Sequence, residues 1–430
     1  MRCLATVAVL LLLVVSGTVA QDTPGSTDPL RVFLDCQAGC DDSFVRTELT
    51  WVDYVRNRQD ADLHVLVTSQ ATGGGGREYH LRFIGLRALS GQDGELRFTT
   101  PTAATSDQIR NRLVETLSLG LVRYVADRPE AERLRVTFER PTGPAQPAGP
   151  VRDPWNRWVF TVSGNGNLFG ESRNTSNSYS GSVRARRITD HWKLDVVVSG
   201  NRSNSTFTLS DGTEFTSKVR GYSGGILMAR SLGDRMATGV RFNGRNSTRN
   251  NEDLVLRPTA VVEFSLYPYR ESTRRLITLE YGVGAYSAEY TEETIFGVTS
   301  EVLARQYVAL AVDLRQPWGS VGLGASFQHY LRDFAQNRIG LSGSTNVRLA
   351  KGLSLHMFAD YGRPRDQLSL PRGEASDEEV LLRLRQLQTN YTYYTSFGLS
   401  YSFGSIFNPV VNSRLRGNDP ALGGGGVFFF

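Results

Sequence analysis

The chain has little cysteine, little histidine and, beyond its first twenty residues, no long apolar run. Each shortage excludes something. A membrane helix needs about 20 consecutive apolar residues, and no stretch after residue 20 supplies them. A β-barrel stays open, because its strands alternate apolar with polar side chains and average to a polar composition; mean hydropathy here is -0.28. Lys and Arg number 48 against 43 Asp and Glu, and they are scattered rather than clustered, so no nucleic-acid partner is implied. Of three cysteines, Cys3 falls in a leader. Cys36 and Cys40 remain, in "DCQAGCDD". Zinc would need four ligands, and only His64 and His80 lie near in sequence; the expectation is a short-loop disulfide in an oxidising compartment. No metal and no cofactor is implied.

What is present begins with "MRCLATVAVLLLLVVSGTVA". Arg2, an apolar run and small residues before a break after Ala20 read as a signal peptide over 1–20. The region 29–141 then reads as a small α/β domain of order β-α-β-β-α-β. "RVFLDC" is a short strand. Val45, Leu49, Val52 and Val55 recur at helical spacing behind Asp41 or Asp42 as N-cap. "ADLHVLVTSQ" and "REYHLRFIGL" alternate as strands, and "GELRFTT" extends the sheet. The glycines 73–76 between the two alternating strands precede a strand, not a helix, so they make a hairpin loop rather than a phosphate cradle. Thr105 and Gln108 form a capping box for a helix whose face carries Ile109, Leu113, Leu117, Leu121 and Tyr124. "ERLRVTFER" closes with a strand. A Pro- and Gly-rich linker follows over 142–154.

From 155 to 404 the texture is long alternating strands. "WKLDVVVSG" puts Leu194, Val196 and Val198 on one face, Lys193 and Asp195 on the other, the face that Arg184 and Arg186 share. "RMATGVRFNGR" sets Val240 and Phe242 against Arg241 and Arg245. "LRPTAVVEFSLYP" sets Ala260, Val262 and Phe264 against Arg257 and Glu263. Glu280, Arg305, Asp313 and Arg315 hold the polar face of the next strands, Arg338 and Arg348 that of a later one, and His356 and Asp360 that of the strand after it. A water-soluble sandwich would alternate in the same way. Three features favour a membrane barrel. The strands often exceed the roughly 9–11 residues that cross a bilayer. Short turns such as "SLGD", "QPWG" and "AKG" alternate with looser loops. Trp192, Tyr267, Tyr269, Trp318 and Tyr361 sit near strand ends, as an aromatic girdle does. The expected fold is an all-β transmembrane antiparallel barrel of about twelve strands. An even count returns the chain to its starting side, so the α/β domain and a Pro- and Gly-rich tail over 405–430 both face the periplasm.

The last strand, "SFGLSYSF", resembles the closing strand of bacterial outer-membrane β-barrel proteins. The resemblance implies a place in outer-membrane lipid and insertion by the barrel-assembly machinery, with Ser396, Gly398, Tyr401 and Phe403 at its recognition positions. The barrel also resembles the salt-induced outer-membrane family. By element order, 29–141 resembles the periplasmic domains of the curli-secretion, TolB amino-terminal and penicillin-binding-protein-activator type, which implies docking to a periplasmic protein partner.

Two readings of the polar face stay open: a water-filled, mildly anion-favouring pore for a small solute, or charges that pair and fill the lumen. The expected function is a passive pore or structural envelope protein whose periplasmic domain docks another envelope component; the alternative is a closed barrel anchoring that domain. Catalysis is not expected. A hydrolase needs Ser beside a His base, yet His191 lies in a turn, His329 on the apolar-face parity, and His356 stands about 13 Å along its strand from Asp360. In "SLPRGEASDEEVLLRLRQLQ", Ser376 and Glu379 cap a helix over 376–388, which is a lid over the mouth, a contact for an outer partner or an ordered surface helix.

Overall fold

The computed structural model describes residues 29–126, 153–208, 211–373 and 388–405, with 128, 131, 132 and 135. The leader, almost all of the linker and of the loop helix, most of the strand read in "ERLRVTFER" and the tail beyond 405 lie outside the described residues.

The first body contains β1 (Arg31–Cys36), α1 (Asp42–Glu48), β2 (Asp53–Tyr54), β3 (Leu63–Ala71), β4 (Arg77–Gly85), β5 (Gly94–Thr100) and α2 (Ser106–Val125). Its sheet runs β2-β1-β3-β4-β5, with β1 parallel to β2 and β3 and the rest antiparallel. The Thr105–Gln108 capping box closes the start of α2 reciprocally. Leu113, Leu117, Leu121 and Tyr124 of α2 pack with Val45 of α1 onto Val32, Val65, Leu81 and Phe83 of the sheet. Each fully buried leucine there contributes about 1.5–3 kcal/mol.

The expected first helix is cut short. Asp41 caps it by accepting from the Phe44 amide, and it ends at Glu48, with Leu49 at φ -106° and ψ 73°. The β-branched and aromatic run Thr50, Trp51 and Val52 favours extended backbone. The next residues add a strand to β1 instead, Asp53 N–H donating to Leu30 O and Val55 N–H to Val32 O, each at 2.9 Å. Val52 and Val55 are buried as the spacing requires, but from a strand and its flank. The described order is therefore β-α-β-β-β-β-α.

The second body is a single antiparallel meander of β6 (Trp158–Glu171), β7 (Asn174–Ile188), β8 (Trp192–Thr208), β9 (Glu214–Ser231), β10 (Met236–Ser247), β11 (Glu252–Ser265), β12 (Arg275–Tyr290), β13 (Ser300–Gln316), β14 (Gly319–Tyr330), β15 (Asp333–Ala350), β16 (Leu353–Pro364) and β17 (Thr392–Tyr401). These twelve strands form one sheet in sequence order. The twelve antiparallel strands are those the sequence leads one to expect; β6 and β17 are the two edges of this sheet, and among the described residues no ladder joins them into a closed barrel. The turns between β7 and β8, β11 and β12, β13 and β14, and β15 and β16 share one end with the start of β6 and the finish of β17. The connections at the far end vary. Those after β6 and β14 span two residues, whereas 291–299 and 365–391 are long.

Candidate functional site

The pairing register decides which side chains share a face. Arg184 and Arg186 on β7 lie opposite Val197 and Asp195 on β8, which places Lys193 on the same side. Leu227 carries that face across to Arg241, and Asn243 pairs with Arg257. Ala237 pairs with Glu263, Glu263 with Glu280 and Glu280 with Ala309, so Arg305, Asp313 and Arg315 follow on β13. Gln328 pairs with Arg338, Asn346 with His356 and Ser342 with Asp360, bringing Arg348 to this face as well. Ser396 and Gly398 belong to it too. Phe397, Leu399 and Tyr401 point to the other side and are exposed, as is Phe403 beyond the strand, which stacks on Tyr401.

Most charges on this face have partners. Arg184 grips Asp195 with two hydrogen bonds of 2.7 and 2.8 Å, and Arg186 lies 3.4 Å from the same carboxylate. Arg241 reaches over β11 to Glu280 at 3.0 Å and over β12 to the Tyr307 hydroxyl at 2.8 Å. Arg245 pairs with the buried Glu252, and Arg338 with Asp366 at 2.9 Å. Arg315 pairs with Asp313 at 3.2 Å, and Glu263 accepts from the Tyr269 hydroxyl at 2.8 Å. His356 and Asp360 stand apart along β16, and no ion pair joins them. His329 sits on the apolar-face parity yet is buried, bonded to Gln306 and stacked on Phe334. Among the described residues no group of three or more His, Cys, Asp or Glu could hold a metal ion.

The segment after β16 folds back over the polar face. Arg338 and Gln328 hold Asp366, and Leu368 is buried among Val255, Tyr286, Leu303 and Tyr330. Asn251 Nδ2 donates to Ser369 O at 3.1 Å, and the Ile295 amide to Leu370 O at 2.9 Å. Nothing in the local sequence of "RDQLSL" marks it as an inward segment except its apolar Leu368 and Leu370 inside a polar loop.

At the other end the α/β body meets the short turns. β3 is buried on both faces along most of its length. Leu63, Val65 and Val67 face the helices. His64 on the opposite face, with Phe33 and Asp35 of β1, points toward the large sheet. The Arg348 guanidinium forks onto Asp35 at 2.7 and 2.8 Å and lies over the Phe33 ring, 4.9 Å from its centroid. His64 contacts the same carboxylate through Nε2 at 3.2 Å, while Arg58 Nε donates to His64 Nδ1 at 3.1 Å. That donation fixes the tautomer, since Nδ1 must accept and Nε2–H must donate to Asp35. Burial alone would raise the Asp35 carboxyl, but the hydrogen bonds from His64 and Arg348 outweigh it and hold the carboxyl below its usual range. Burial dominates at His64 and holds the imidazole below its usual value, so it is neutral at pH 7.

Further contacts spread across the turns. Lys351 pairs with Asp60 at 2.7 Å, Arg315 Nη1 donates to Ser69 O at 3.1 Å, and Ser272 bonds Gln70 at 3.2 Å. Cys36 and Cys40 are joined in a disulfide with Cα atoms 5.7 Å apart, and within that loop Gln37 donates to Gln316 O at 3.2 Å. In the glycine hairpin a Cβ at Gly73 would stand 2.8 Å from Ile188 Cβ at the end of β7. Arg56 donates to Gly404 O, beyond β17, at 3.4 Å.

These contacts constrain the shape of the sheet. From β7 to β17 a flat sheet would span ten strand spacings of about 4.8 Å, or about 48 Å. A compact body of about 100 residues has a radius of gyration of about 13 Å, hence a diameter of about 34 Å. One such body touches both Ile188 and the segment beyond β17, so the sheet is curled. The bonds that skip strands, from Arg241 to Glu280 and Tyr307, place the polar face on the concave side.

Sequence reasoning placed the polar face by alternation but missed the Asp35–His64–Arg348 set. Its signal was a single Asp in "RVFLDC" and a single His in "ADLHVLV", both at positions that apolar strands otherwise fill.

No protein-family profile matches the sequence, and neither does any curated protein. Among solved structures, the NanC porin is similar at a TM-score of 0.29 and 8% identity, covering 57% of this chain and 99% of that one. The translocator domain of the autotransporter NalP from Neisseria meningitidis is similar at a TM-score of 0.24 and 13% identity, covering 57% of this chain and 87% of that one. Likeness at this distance transfers no residue and no role.

Proposed function

We propose that the chain is an outer-membrane β-barrel, closed by pairing β6 with β17, whose α/β domain caps its periplasmic mouth. An unpaired strand edge in hydrocarbon costs several kcal/mol for each unsatisfied peptide group, and β6 and β17 are antiparallel neighbours once the sheet curls. Tyr393, Phe397, Leu399 and Tyr401 on β17 carry exposed apolar side chains, as Phe160 and Val162 do on β6, which suits a lipid-facing belt continuing across that seam. The leader and the closing strand point to export and assembly in this membrane. The polar concave face lines a lumen with an excess of arginine, suited to a small anionic solute. The observation that carries the capping is the contact of one α/β body with turns from β7 to beyond β17, anchored by Asp35 on Arg348 and Asp60 on Lys351. The barrel is thus a gated or plugged passage without catalysis, and a periplasmic partner that binds the α/β domain would open it by competing for the same contacts.

Planar-bilayer recording tests this. The intact chain is expected to conduct weakly, and a variant carrying both Arg348→Ala and Lys351→Ala to conduct more, with a preference for anions. Equal conductance in the two refutes the cap, and no conductance above bare lipid in either refutes the passage.

A further inference from the structure

Between the concave face and the inward segment lies a cavity of about 330 Å³. Four guanidiniums, from Arg245, Arg257, Arg305 and Arg338, reach it, against two carboxylates, Glu252 and Asp366. The carboxylates are already taken, Glu252 by Arg245 and Asp366 by Arg338. Among the described residues Arg257 and Arg305 have no carboxylate within ion-pair reach. Arg257 lies over the Tyr286 ring at 5.3 Å. Arg305 donates to the Thr259 hydroxyl at 3.0 Å and to the Gln328 amide oxygen at 3.5 Å, both neutral, and its Nε is buried without a partner. Counted over the described residues, the cavity therefore carries two formal positive charges in excess, on two half-buried side chains.

A cation withdrawn from water without a countercharge is unfavourable. A guanidinium also has five N–H donors in a planar fork that matches the oxygens of a carboxylate or phosphate. The remaining lining is mixed: Tyr286 and Tyr330 give ring faces, and Asn250 and Gln328 give amide groups. That combination suits a small molecule with one anionic head and several hydroxyls, and the volume is at the lower end of ligand sites.

We propose that this cavity is a binding site for a small hydroxylated organic anion, its carboxylate or phosphate held by Arg257 and Arg305. The proposal rests on the reading of the concave face as a lumen, and it names the solute class for that lumen. The inward segment is the site's outer wall: Asp366 consumes the charge of Arg338, so the ligand head is directed to the two guanidiniums that have no carboxylate partner among the described residues.

Isothermal titration of the intact chain in detergent micelles tests it, with gluconate, glucose 6-phosphate, glucose and inorganic phosphate as probes. Gluconate or glucose 6-phosphate is expected to bind and neutral glucose not to; which of the two binds separates a carboxylate from a phosphate head. Arg257→Gln and Arg305→Gln are each expected to weaken binding by about tenfold or more, the loss of one charge-assisted contact. Arg305→Lys keeps the charge but loses the fork, so it binds a few-fold more weakly and serves where a glutamine variant fails to fold. Absence of binding by every anionic probe, binding of phosphate alone with no gain from the organic part, or unchanged affinity in both Arg257→Gln and Arg305→Lys overturns the proposal. The readout does not depend on conduction. Binding without conductance keeps the site and removes the passage; anion conductance without binding does the reverse.

Discussion

Replacing Arg348 by alanine takes away both hydrogen bonds that the large sheet gives to Asp35, at 2.7 and 2.8 Å. Asp35 is 3% exposed and keeps only His64 at 3.2 Å and a long contact from Gln37 Nε2 at 3.5 Å, both on Oδ2, so the variant leaves a buried carboxylate half satisfied. Breaking a fully buried ion pair from one side costs about 3–5 kcal/mol. The Arg348 side chain is 35% exposed, and solvent screening at that end reduces the figure; about 2–3 kcal/mol is the expected loss. Single variants mix this loss with others, because Asp35→Ala also strands the His64 Nε2–H. A double-mutant cycle of Asp35→Ala and Arg348→Ala removes the mixture, since the His64 penalty is common to the Asp35 single and the double variant. The assay is amide hydrogen exchange of β1 and β3 in detergent micelles at pH 7, read as opening free energies. The expected coupling is about 1.5–3 kcal/mol, the range of a charged hydrogen-bonded contact. A coupling below about 0.5 kcal/mol, the size of an ordinary exposed pair, would refute the claim that this contact holds the α/β body against the turns.

Acidification is expected to loosen the same body in two stages. His64 has its folded value held below the usual 6.5, so its contribution is whole above pH 6.5 and is lost as the pH falls from there through the lower folded value. Asp35, held below 3.8, keeps its contribution above that pH and loses it on further acidification; hydrogen exchange of β3 that stays constant from pH 7 to 3 would contradict both. Gly120 of α2 faces the Phe83 ring so closely that a Cβ would overlap it; Gly120→Ala is expected to destabilise the α/β body by about 1–3 kcal/mol despite alanine's better helix propensity, as measured by urea unfolding. Thr105→Ala removes the N-cap of α2 and should cost about 1 kcal/mol in the same assay. A chain ending at Asn408 is expected to insert as the full chain does if Ser396, Gly398, Tyr401 and Phe403 are the recognition positions proposed for them; failure to assemble would show that the last residues carry the signal.

The large sheet was legible because alternation over long strands is a one-dimensional pattern. "QYVALAVDLRQ" states its two faces without any partner strand, and the antiparallel meander then follows from chain order. The small sheet was legible for the same reason, and α2 from its capping box and its leucine spacing. The end of α1 was not, because Val52 and Val55 satisfy helical spacing and strand alternation alike; what decided was the free edge of β1, to which Asp53–Tyr54 could pair. Long-range contacts left weaker marks. Asp35 and Arg348 are separated by most of the chain, and alternation assigned Arg348 to the polar face without saying that its partner belongs to another body. Of the inward segment, 369–373 was read with the long outer loop and 365–368 was not read at all, since its polar residues look like any surface loop until Asp366 finds Arg338.

One rule connects the ends of the molecule. On the concave face charge is matched wherever the structure must hold its shape: Arg184 with Asp195 across one hairpin, Arg241 with Glu280 across three strands, Arg348 with Asp35 between bodies. The second spans a strand and so accompanies curvature, and the third joins the two bodies. Arg257 and Arg305 break the rule in one place, where a cavity adjoins them and, among the described residues, only neutral groups answer them. A structural barrel gains nothing from two uncompensated guanidiniums beside a void, and an apolar or paired lining would be more stable. A passage for anions does gain from them, provided the hold is weak enough to release. If the concave face is the lumen proposed above, titration with an organic anion separates the two readings that composition left level: binding lost in Arg257→Gln and Arg305→Gln belongs to a lumen that selects, and no binding belongs to one that is merely filled.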